Sequence, residues 1–506
     1  MKIVFIAMST ENLAIGFLSS FLKKHGHQVE VVFDPTLFAS EVFTSKKLSK
    51  LFDTQNQIVQ QVIDKKPDLV GFSVFTLNYQ RTLSLAKKIK KLDKNLPIIL
   101  GGIHPTSVPN RVIKQKVVDM ICVGEGEHAL LELLNSLRKQ DSRTNIKNIW
   151  FKKGSKIIKN PCRPLIKNLS LLPFPDKDLF YKIYPKFVTN DYYAISSRGC
   201  PFACTYCANN VLRKVYRGLG PAIRQRSPEH IVAELIEAKK KYSPKQITFV
   251  DDVFVQDIIW LKKFTRLYKR KVNLPYVMLT HPRFISLSIT KLLKDSGCFL
   301  LMFGIQSASE TTRAKILKRY ESNKQIEKAA QDCHKAKLKF SIDHIFNIPG
   351  EGLKEHQQAL SFYNKLRPSI IHSYWLQYFP GTEIIKTAMK YKIISKSDLK
   401  NIEEGKTSTS LVVGLGGKDN FDPNLVYKNL QFFFTLLPII PQKLMDKIIN
   451  KKLYLTRFNP PLILNITLKF FINLINHRAG VYLGIVKFNL YFCYKNLSTK
   501  WNLKSR

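Results

Sequence analysis

The chain has 506 residues and a mass of 58.4 kDa, which corresponds to about two to four domains. Hydrophobic residues make up 45% of it and charged residues 23%, a composition that excludes a disordered or fibrous protein. Lysine and arginine number 81 against 37 acidic residues, so the net charge at pH 7 is +44. Such a charge favours anionic partners, although lysines scattered along the whole chain are equally expected from a lysine-rich genome.

Cysteine usage and the N-terminus indicate the compartment. Eight cysteines are too few for a disulfide scaffold, and three of them fall within residues 200–207, which indicates metal chemistry in a reducing compartment. Met1–Ala7 is apolar, but polar residues follow at positions 9–12, which predicts a buried strand and not a signal peptide. Because no run approaches about 18 uninterrupted apolar residues, no simple membrane span is expected. A cytoplasmic location follows as an expectation.

Residues 1–140 alternate short apolar strands with amphipathic helices, which predicts an α/β, Rossmann-like, doubly wound domain with a parallel sheet. Ligands of such sheets bind outside the carboxyl ends of the strands. Ser73, Gly101-Gly102 and Gly124-Glu125 follow predicted strand ends. The alternative is that these glycines only make tight turns. The predicted strands are Lys2–Ala7, Val29–Phe33, Asp68–Ser73, Ile98–Leu100 and Met120–Val123, with helices Ala14–His25, Ile58–Lys65, Gln80–Leu92 and Ala129–Leu137.

A connector and a second α/β domain follow. Residues 141–190 are proline-rich and lack a sustained period, so a semi-rigid connector is predicted there. Residues 191–400 again alternate strands and helices. Six strand–helix units predict a partial, open barrel, with its site just after the strand ends. The predicted strands are Tyr192–Ser197, Gln246–Asp251, Tyr276–Thr280, Phe299–Gly304, Lys339–His344 and Ile370–Gln377.

Residues 401–506 are both basic and apolar. From Phe421 to the end, 13 lysines and arginines face two aspartates. The apolar stretches Phe432–Pro441, Leu462–Ile475 and Val481–Cys493 predict a helical C-terminal region. It could lie on a membrane surface, cover a pocket for an apolar substrate, or be an ordinary helical cap on the barrel.

Cys200, Cys204 and Cys207 carry the sharpest signal, since their C-x3-C-x2-C spacing follows the first strand of the second domain. Thiolates are the usual ligands of iron–sulfur clusters, and three of them leave one iron of a [4Fe–4S] cluster open to bind a small molecule. A structural zinc site would need a fourth ligand, and neither a second cysteine pair nor a His-x3-His motif lies nearby. The loop therefore predicts an iron–sulfur cluster that binds a small molecule.

This loop resembles the signature of the radical S-adenosylmethionine (SAM) superfamily, and the likeness covers most of residues 190–385. It implies that Cys200, Cys204 and Cys207 bind the cluster and that Tyr206 packs near the SAM adenine. The open iron would hold the amino and carboxylate groups of SAM. One electron from the reduced cluster would cleave SAM to methionine and a 5′-deoxyadenosyl radical, which abstracts hydrogen from the substrate.

Further segments of the barrel resemble SAM contacts. By resemblance, Asp251 and Asp252 are candidates to hold the SAM amino group; the alternative is that they form a helix N-cap before Ile258. Gln306 and Ser307 stand where the family's ribose and carboxylate contact is usually Glu-Ser, so an acceptor remains but its charge is lost. Arg283 could pair with the SAM carboxylate or equally form a surface salt bridge.

The first domain resembles the cobalamin-binding domain that precedes many radical SAM domains, through Pro67–Ser73, Leu100–Pro105 and Val123–Glu127. The resemblance implies cobalamin contacts at Ser73, Gly101, Gly102, Gly124 and Glu125. The family's cobalt-ligating motif, Asp-x-His-x-x-Gly, corresponds here to residues 11–16, with Leu13 at the histidine position. That implies base-off cobalamin without a histidine ligand, or loss of cobalamin. His25, His27 and His104 are expected to be surface or turn residues and not replacement ligands.

Together these features identify the sequence as a member of the cobalamin-binding-domain (class B) radical SAM enzymes. The resemblance implies radical methylation of an unactivated carbon, with SAM used twice, or else cyclisation or rearrangement. It also implies an external electron donor such as flavodoxin or ferredoxin. The basic, apolar C-terminus suggests a hydrophobic or lipid-like small-molecule substrate and peripheral membrane contact.

Two alternatives belong to other functional classes. The first is a tRNA-modifying radical SAM enzyme, but Cys122 is the only cysteine in residues 1–140 and no aromatic-basic RNA platform stands out, so nucleic acid is not an expected partner. The second is a non-catalytic cobalamin or iron–sulfur sensor, which SAM cleavage under reducing conditions would exclude.

Overall fold

The computed structural model describes residues 1–38, 46–183, 191–406, 425–456, 462–476, 487 and 490–494. Its strands form two large sheets and one short two-stranded ribbon. The strands are β1 (Lys2–Met8), β2 (Gln28–Asp34), β3 (Leu69–Ser73), β4 (Ile98–Gly101), β5 (Met120–Cys122), β6 (Ile149–Lys153), β7 (Lys156–Ile158), β8 (Asp191–Ala194), β9 (Ser197–Arg198), β10 (Arg224–Gln225), β11 (Gln246–Phe249), β12 (Tyr276–Thr280), β13 (Cys298–Gln306), β14 (Lys339–Phe346) and β15 (Ile370–Trp375).

The helices alternate with these strands, as predicted. Among the described residues, the α-helices of at least five residues are Leu13–Lys24, Lys46–Leu51, Gln55–Asp64, Tyr79–Leu92, Ile103–Ser107, Pro109–Ile113, Glu127–Arg138, Asn209–Val215, Pro228–Tyr242, Ile258–Lys271, Leu287–Asp295, Asn323–Lys335, Leu353–Leu366, Ile384–Lys390, Lys396–Glu403, Leu425–Leu436, Gln442–Asn450 and Leu462–Ile475.

The first sheet has the strand order β2-β1-β3-β4-β5-β6-β7, and its first five strands are parallel. Alternate residues of each strand point to opposite faces. Val4 and Ile6 pack with the helices Gln55–Asp64 and Tyr79–Leu92, whereas Ile3 and Phe5 pack with Leu13–Lys24 and Glu127–Arg138. Helices on both faces confirm the predicted doubly wound fold.

The segment predicted as a connector contributes to this sheet. β6 pairs antiparallel with β5, and β7 pairs antiparallel with β6 across a tight turn at Gly154. The sequence concealed this hairpin because both strands are short and lysine-rich, and they show no long alternation of polar and apolar residues. Residues after Ile158 then cross to the second domain largely without regular structure.

The second sheet has six parallel strands in the order β15-β14-β13-β12-β11-β8, which confirms the partial barrel. The strand predicted over Tyr192–Ser197 divides into two. β8 joins the barrel, and β9 turns away to pair antiparallel with β10. The cysteine loop therefore leaves from a separate ribbon at the carboxyl edge of the sheet.

The C-terminal helix Leu462–Ile475 packs on the inner face of the barrel sheet. Tyr276 and Met278 of β12 belong to the core shared with the outer helices, whereas Val277 between them packs with Leu300 and with Ile472 of this helix. Asn476 donates to the Ser369 carbonyl, which places the end of the helix near the start of β15. Most of the apolar stretch Val481–Cys493 lies outside the described residues.

Within the described ranges, none of the helices combines the length and the apolar character that a bilayer crossing requires.

Candidate active site between the two sheets

A cavity of about 420 Å³ lies between the carboxyl edge of the first sheet and the cysteine loop of the second domain. One wall comes from the strand ends and loops of the first domain, and the other from β9, the cysteine loop and the helix after it. Both walls include residues that the sequence singled out, namely Ser73, Gly101, Gly102, Gly124, Glu125, Cys200 and Asp252. The fold thus brings the predicted cobalamin contacts and part of the predicted cluster site to one space.

The first-domain wall fits a bulky, largely apolar group. Gly101 ends β4, and a Cβ added there would have only the Cys122 Cβ nearby, at 3.5 Å, so its missing side chain leaves open room. Gly102 has φ +100°, and an added Cβ would meet the Val74 backbone at 2.8 Å, which requires glycine. Phe5, Leu13 and Phe17 supply apolar surface. These residues fit a corrin bound against the sheet edge.

Leu13 lines the cavity, and among the described residues no histidine does. His25 is exposed beside a turn, as predicted. His27 and His104, expected at the surface or in turns, are instead buried. His104 packs 4.2 Å from the Tyr79 ring, and burial lowers its pKa to about 4. All three lie outside the lining of the cavity and are not placed as cobalt ligands.

The carboxylate of Glu125, a predicted cobalamin contact, has other partners in the structure. It pairs with Arg198 at 3.1 Å and with Arg224 at 2.8 Å, both from the second domain. Glu125 still lines the cavity, but its charge is directed to the domain interface.

The cysteine loop begins at a glycine whose conformation and surroundings leave no room for a side chain, and it is held by hydrogen bonds at its centre. Gly199 has φ +90°, and an added Cβ would lie 1.8 Å from the Ala222 carbonyl oxygen. The Thr205 side chain donates to the Ile316 carbonyl at 2.7 Å, and its backbone N–H donates to Leu317 at 3.1 Å. Ile384 N–H donates in turn to the Thr205 carbonyl at 3.0 Å. The loop is therefore held against segments that follow the fourth and sixth barrel strands.

The three cysteines are free thiols on this loop, with Cys204 buried and Cys200 and Cys207 half-buried. No three His, Cys, Asp or Glu side chains of the described chain are drawn close enough to hold a single metal ion. Burial raises the pKa of Cys200 to about 12, and burial also raises that of Cys207. Such thiols ionise when cationic iron compensates their burial. Three soft donors on one loop fit an iron–sulfur cluster.

Arg319 reaches this loop from a position that the sequence analysis did not identify. Its Nη1 lies 3.8 Å from Cys204 Sγ, and its Nη2 donates to the Gly304 carbonyl at 2.7 Å. Its Nε donates to Glu321 at 2.7 Å, and the Tyr206 hydroxyl also contacts the guanidinium. Nothing local distinguishes Arg319 from the many other cations of the chain; only its burial does.

Asp251 and Asp252 separate into different environments. Asp251 is fully buried and accepts hydrogen bonds from the backbone and hydroxyl of Ser196 and from the hydroxyl of Ser197, at 2.5–3.0 Å. It therefore fixes the segment leading to the cysteine loop, whereas Asp252 lines the cavity. Neither caps the following helix, because Asp257 does so by accepting from Ile259 and Trp260.

Arg283 lies in a single turn after β12, is exposed, and stays outside the lining of the cavity. The structure gives it no contact with the other predicted SAM residues.

Gln306 and Ser307 lie at the carboxyl end of β13. Gln306 has φ +70°, a conformation rare for a residue with a side chain and concentrated at functional sites. Its amide folds over Gly304, where an added Cβ would lie 2.0 Å from Nε2. Ser307 Oγ donates to a Glu351 carboxylate oxygen. Inside the barrel, Asp343 faces Gly304 in the β13–β14 register, and burial raises its pKa to about 6.

Glu351 makes stability depend on pH. Burial raises its pKa from an ordinary 4.5 to about 7, so the folded protein binds this proton more tightly than the unfolded chain. The corresponding stability is present below pH 4.5 and is lost as the pH rises through 7. We expect Glu351→Gln, without added SAM, to match the wild type in stability at pH 4, below both the unfolded and the folded pKa of the carboxyl group. At pH 8 it should be about 1–3 kcal/mol more stable by thermal unfolding. Glu229→Gln, at an exposed pair with Lys263, is the control. A variant less stable than wild type at pH 8 would contradict the assignment.

Comparison with known proteins agrees with this architecture. The family described as "B12 binding domain" matches residues 5–134, and the Radical SAM superfamily matches residues 194–363. The chain is 26% identical over 396 residues to an uncharacterized methyltransferase, PH0819, of Pyrococcus horikoshii, covering 76% of this chain and 79% of that protein.

Solved structures show the same fold. The radical SAM methyltransferase TsrM from Kitasatospora setae, solved with tryptophan and a SAM analogue, superposes with a TM-score of 0.62 at 16% identity, covering 77% of this chain and 76% of that one. The cobalamin-dependent radical SAM enzyme OxsB superposes with a TM-score of 0.65 at 17% identity, covering 100% and 80%. With a cobalamin-type domain and a radical SAM barrel joined in one chain, the protein belongs to the cobalamin-binding-domain class of radical SAM enzymes.

Proposed function

We propose that this protein methylates an unactivated carbon of a small, apolar substrate. The observation that carries the proposal is the shared cavity, because residues expected to hold cobalamin and residues of the cysteine loop line the same space. Methyl transfer needs the two cofactors close together, and a single cavity provides that proximity. The names of the relatives, two of which are methyltransferases, point to the same chemistry.

Residues of this chain are assigned to each cofactor. Cys200, Cys204 and Cys207 would hold a [4Fe–4S] cluster, which supplies the electron for SAM cleavage. Asp252, which lines the cavity, and Ser307, at the carboxyl end of β13, are proposed to orient SAM. The edge formed by Ser73, Gly101 and Gly102 would hold cobalamin, which carries the methyl group. Because Leu13 offers no ligand atom, the cobalamin is proposed to bind base-off without a histidine.

The proposed reaction uses two molecules of SAM and two electrons for each methyl group transferred to the substrate carbon. One SAM accepts an electron and is cleaved to methionine and a 5′-deoxyadenosyl fragment. That fragment takes a hydrogen atom from the substrate carbon and leaves as 5′-deoxyadenosine. A second SAM gives up its methyl group and leaves as S-adenosylhomocysteine. Two electrons come from an external donor of the flavodoxin or ferredoxin type.

The apolar class of the substrate is proposed from the wall of the shared cavity. Phe5, Leu13 and Phe17 present apolar side chains there, and apolar walls bind the hydrocarbon part of a ligand.

The C-terminal helix packs elsewhere. Its Leu468 and Ile472 cover Val277 and Leu300, and its end lies near the start of β15. Of the roles considered for the tail, this packing favours an ordinary cap on the barrel.

The test supplies SAM carrying a trideuterated methyl group to the anaerobic holoenzyme, together with a cell extract. We expect an intact labelled methyl group in a product that partitions into organic solvent, with 5′-deoxyadenosine and S-adenosylhomocysteine formed in equal amounts. If 5′-deoxyadenosine forms without S-adenosylhomocysteine, the reaction is a cyclisation or rearrangement and not a methylation. A labelled product confined to water would refute the apolar substrate class, and label in tRNA would favour the RNA alternative.

A further inference from the structure

Four charged residues join the two domains beside the shared cavity. Arg198 donates through Nη1 to Glu125 at 3.1 Å and through Nη2 to Glu127 at 2.6 Å. Arg224 donates to both oxygens of Glu125, at 2.8 and 3.1 Å. The acids belong to the loop after β5 and the start of the helix Glu127–Arg138, and the arginines to β9 and β10. We call these four residues the interdomain clamp.

The clamp is partly buried and geometrically specific. The side chains of Glu127 and Arg224 are only 4% and 6% exposed, and those of Glu125 and Arg198 are 16% and 22% exposed, so water screens the ion pairs little. Arg198 and Arg224 are paired neighbours in the β9–β10 ribbon. The two nitrogens of Arg198 each donate to a different carboxylate, and a lysine ammonium, whose donors all sit on one atom, does not match that fixed spacing. The clamp therefore sets distance and orientation, and not merely attraction.

A tyrosine fastens the same loop from the second domain. The Glu125 N–H donates to the Tyr216 hydroxyl at 2.5 Å, and Asn148 reaches that oxygen at 3.4 Å. Gly124 has φ +85°, and an added Cβ would lie 1.9 Å from the Tyr216 oxygen. The glycine at this strand end is thus required by close approach of the second domain.

The clamp connects the two expected cofactor sites through very few bonds. Gly124–Glu127 lines the cavity on the cobalamin side, and Arg198 directly precedes Gly199 and Cys200 at the start of the cluster loop. A displacement of either loop must therefore move or break buried ion pairs, which are costly to leave half-made.

We propose that Glu125 and Glu127 are positioning residues. Through Arg198 and Arg224 they hold the cobalamin site and the cluster loop in register, so that filling one site affects the other. The inference rests on the proposed function only in requiring that cobalamin occupies the cavity. By linkage, an effect of cobalamin on the cluster loop implies an equal effect of the ordered loop on cobalamin affinity.

The test measures hydroxocobalamin affinity by absorbance titration of the full-length, cluster-reconstituted protein. The variants are Arg198→Met, Glu127→Gln, their double mutant, and Arg198→Lys. We expect Arg198→Met and Glu127→Gln each to weaken hydroxocobalamin affinity by about 10- to 100-fold. The double mutant should bind no more weakly than the weaker of the two single variants. The affinity of Arg198→Lys should lie between those of the wild type and Arg198→Met. The exposed pair Glu229–Lys263, neutralised in the same way, should leave affinity unchanged.

A second readout separates positioning from simple loss of fold. In the wild type, the electron paramagnetic resonance spectrum of the dithionite-reduced cluster should change when hydroxocobalamin is added. In Arg198→Met the cluster should still assemble, with about four irons per chain, but this response should vanish. Three results would overturn the proposed positioning role while leaving the proposed function standing. They are variant affinities within twofold of wild type, additive effects of the two single substitutions, and a cluster spectrum that still responds to hydroxocobalamin in Arg198→Met. A wild-type protein that binds no hydroxocobalamin would overturn both.

Discussion

Replacing Cys204 by serine is expected to abolish SAM cleavage, with a rate at least about 1,000-fold below wild type. Cys204 is the buried member of the three predicted ligands, and it alone contacts the Arg319 guanidinium, at 3.8 Å. Removing its sulfur takes away one of the three predicted cluster ligands and leaves the buried Arg319 guanidinium without its contact to sulfur. The expected loss exceeds the 10- to 100-fold that is typical of losing an outer-shell partner.

The measurement is 5′-deoxyadenosine formed from SAM and dithionite, together with iron per chain after anaerobic reconstitution. Cys162→Ser is the matched control, because Cys162 is a half-buried free thiol outside the loop, whose sulfur faces the Val123 carbonyl. The control should retain iron and activity. If Cys204→Ser cleaved SAM at a rate within tenfold of wild type, the assignment of the loop as the cluster site would be wrong.

Gly101→Leu is expected to lose cobalamin while keeping the cluster. The added side chain would extend from the end of β4 into the cavity, where only the Cys122 Cβ lies near the first added carbon. The fold should therefore tolerate the leucine, but a corrin could not share its space. We expect corrinoid affinity to fall by at least about 100-fold, since a single surplus methylene in a filled pocket already costs about 10- to 200-fold.

This loss should separate the two uses of SAM. Gly101→Leu should still form 5′-deoxyadenosine but little S-adenosylhomocysteine, as measured together in one reaction. Gly101→Ala serves as the graded control, because its methyl group makes an ordinary contact at 3.5 Å and should weaken corrinoid binding only slightly. A leucine variant with full corrinoid content would place the cofactor elsewhere than at this sheet edge.

Regular elements of the chain were predictable because their patterns are local. The strand Tyr276–Thr280 coincides with its predicted bounds, and the helix Tyr79–Leu92 begins one residue before the predicted Gln80–Leu92. Burial on a sheet and on a helix face imposes periods of two and 3.6 residues, which each of these segments displays. The β6–β7 hairpin was missed because its strands are too short to show a period. The six-stranded barrel and the cysteine loop at its mouth followed from the same local reading.

Pairings between distant residues were not predictable. Asp251 and Asp252 are chemically identical neighbours, yet Asp251 accepts hydrogen bonds from Ser196 and Ser197, whereas Asp252 lines the cavity. Their division depends on which way each side chain points after β11. Glu125, predicted to contact cobalamin, lines the cavity and in addition pairs with two arginines separated from it by more than 70 residues.

The sequence by itself determined the two-domain α/β architecture, the cluster cysteines as candidates, and the membership in the radical SAM enzymes. These properties depend on residue types at short spacing, which a linear chain displays directly. The tertiary structure brought the residues predicted for the two cofactors to one cavity, placed Arg319 against the cysteine loop, and joined the domains through partly buried ion pairs. Such features arise when chain segments far apart in sequence pack together and exclude water. The low local dielectric then strengthens the attraction between a few of the many charges that the chain carries.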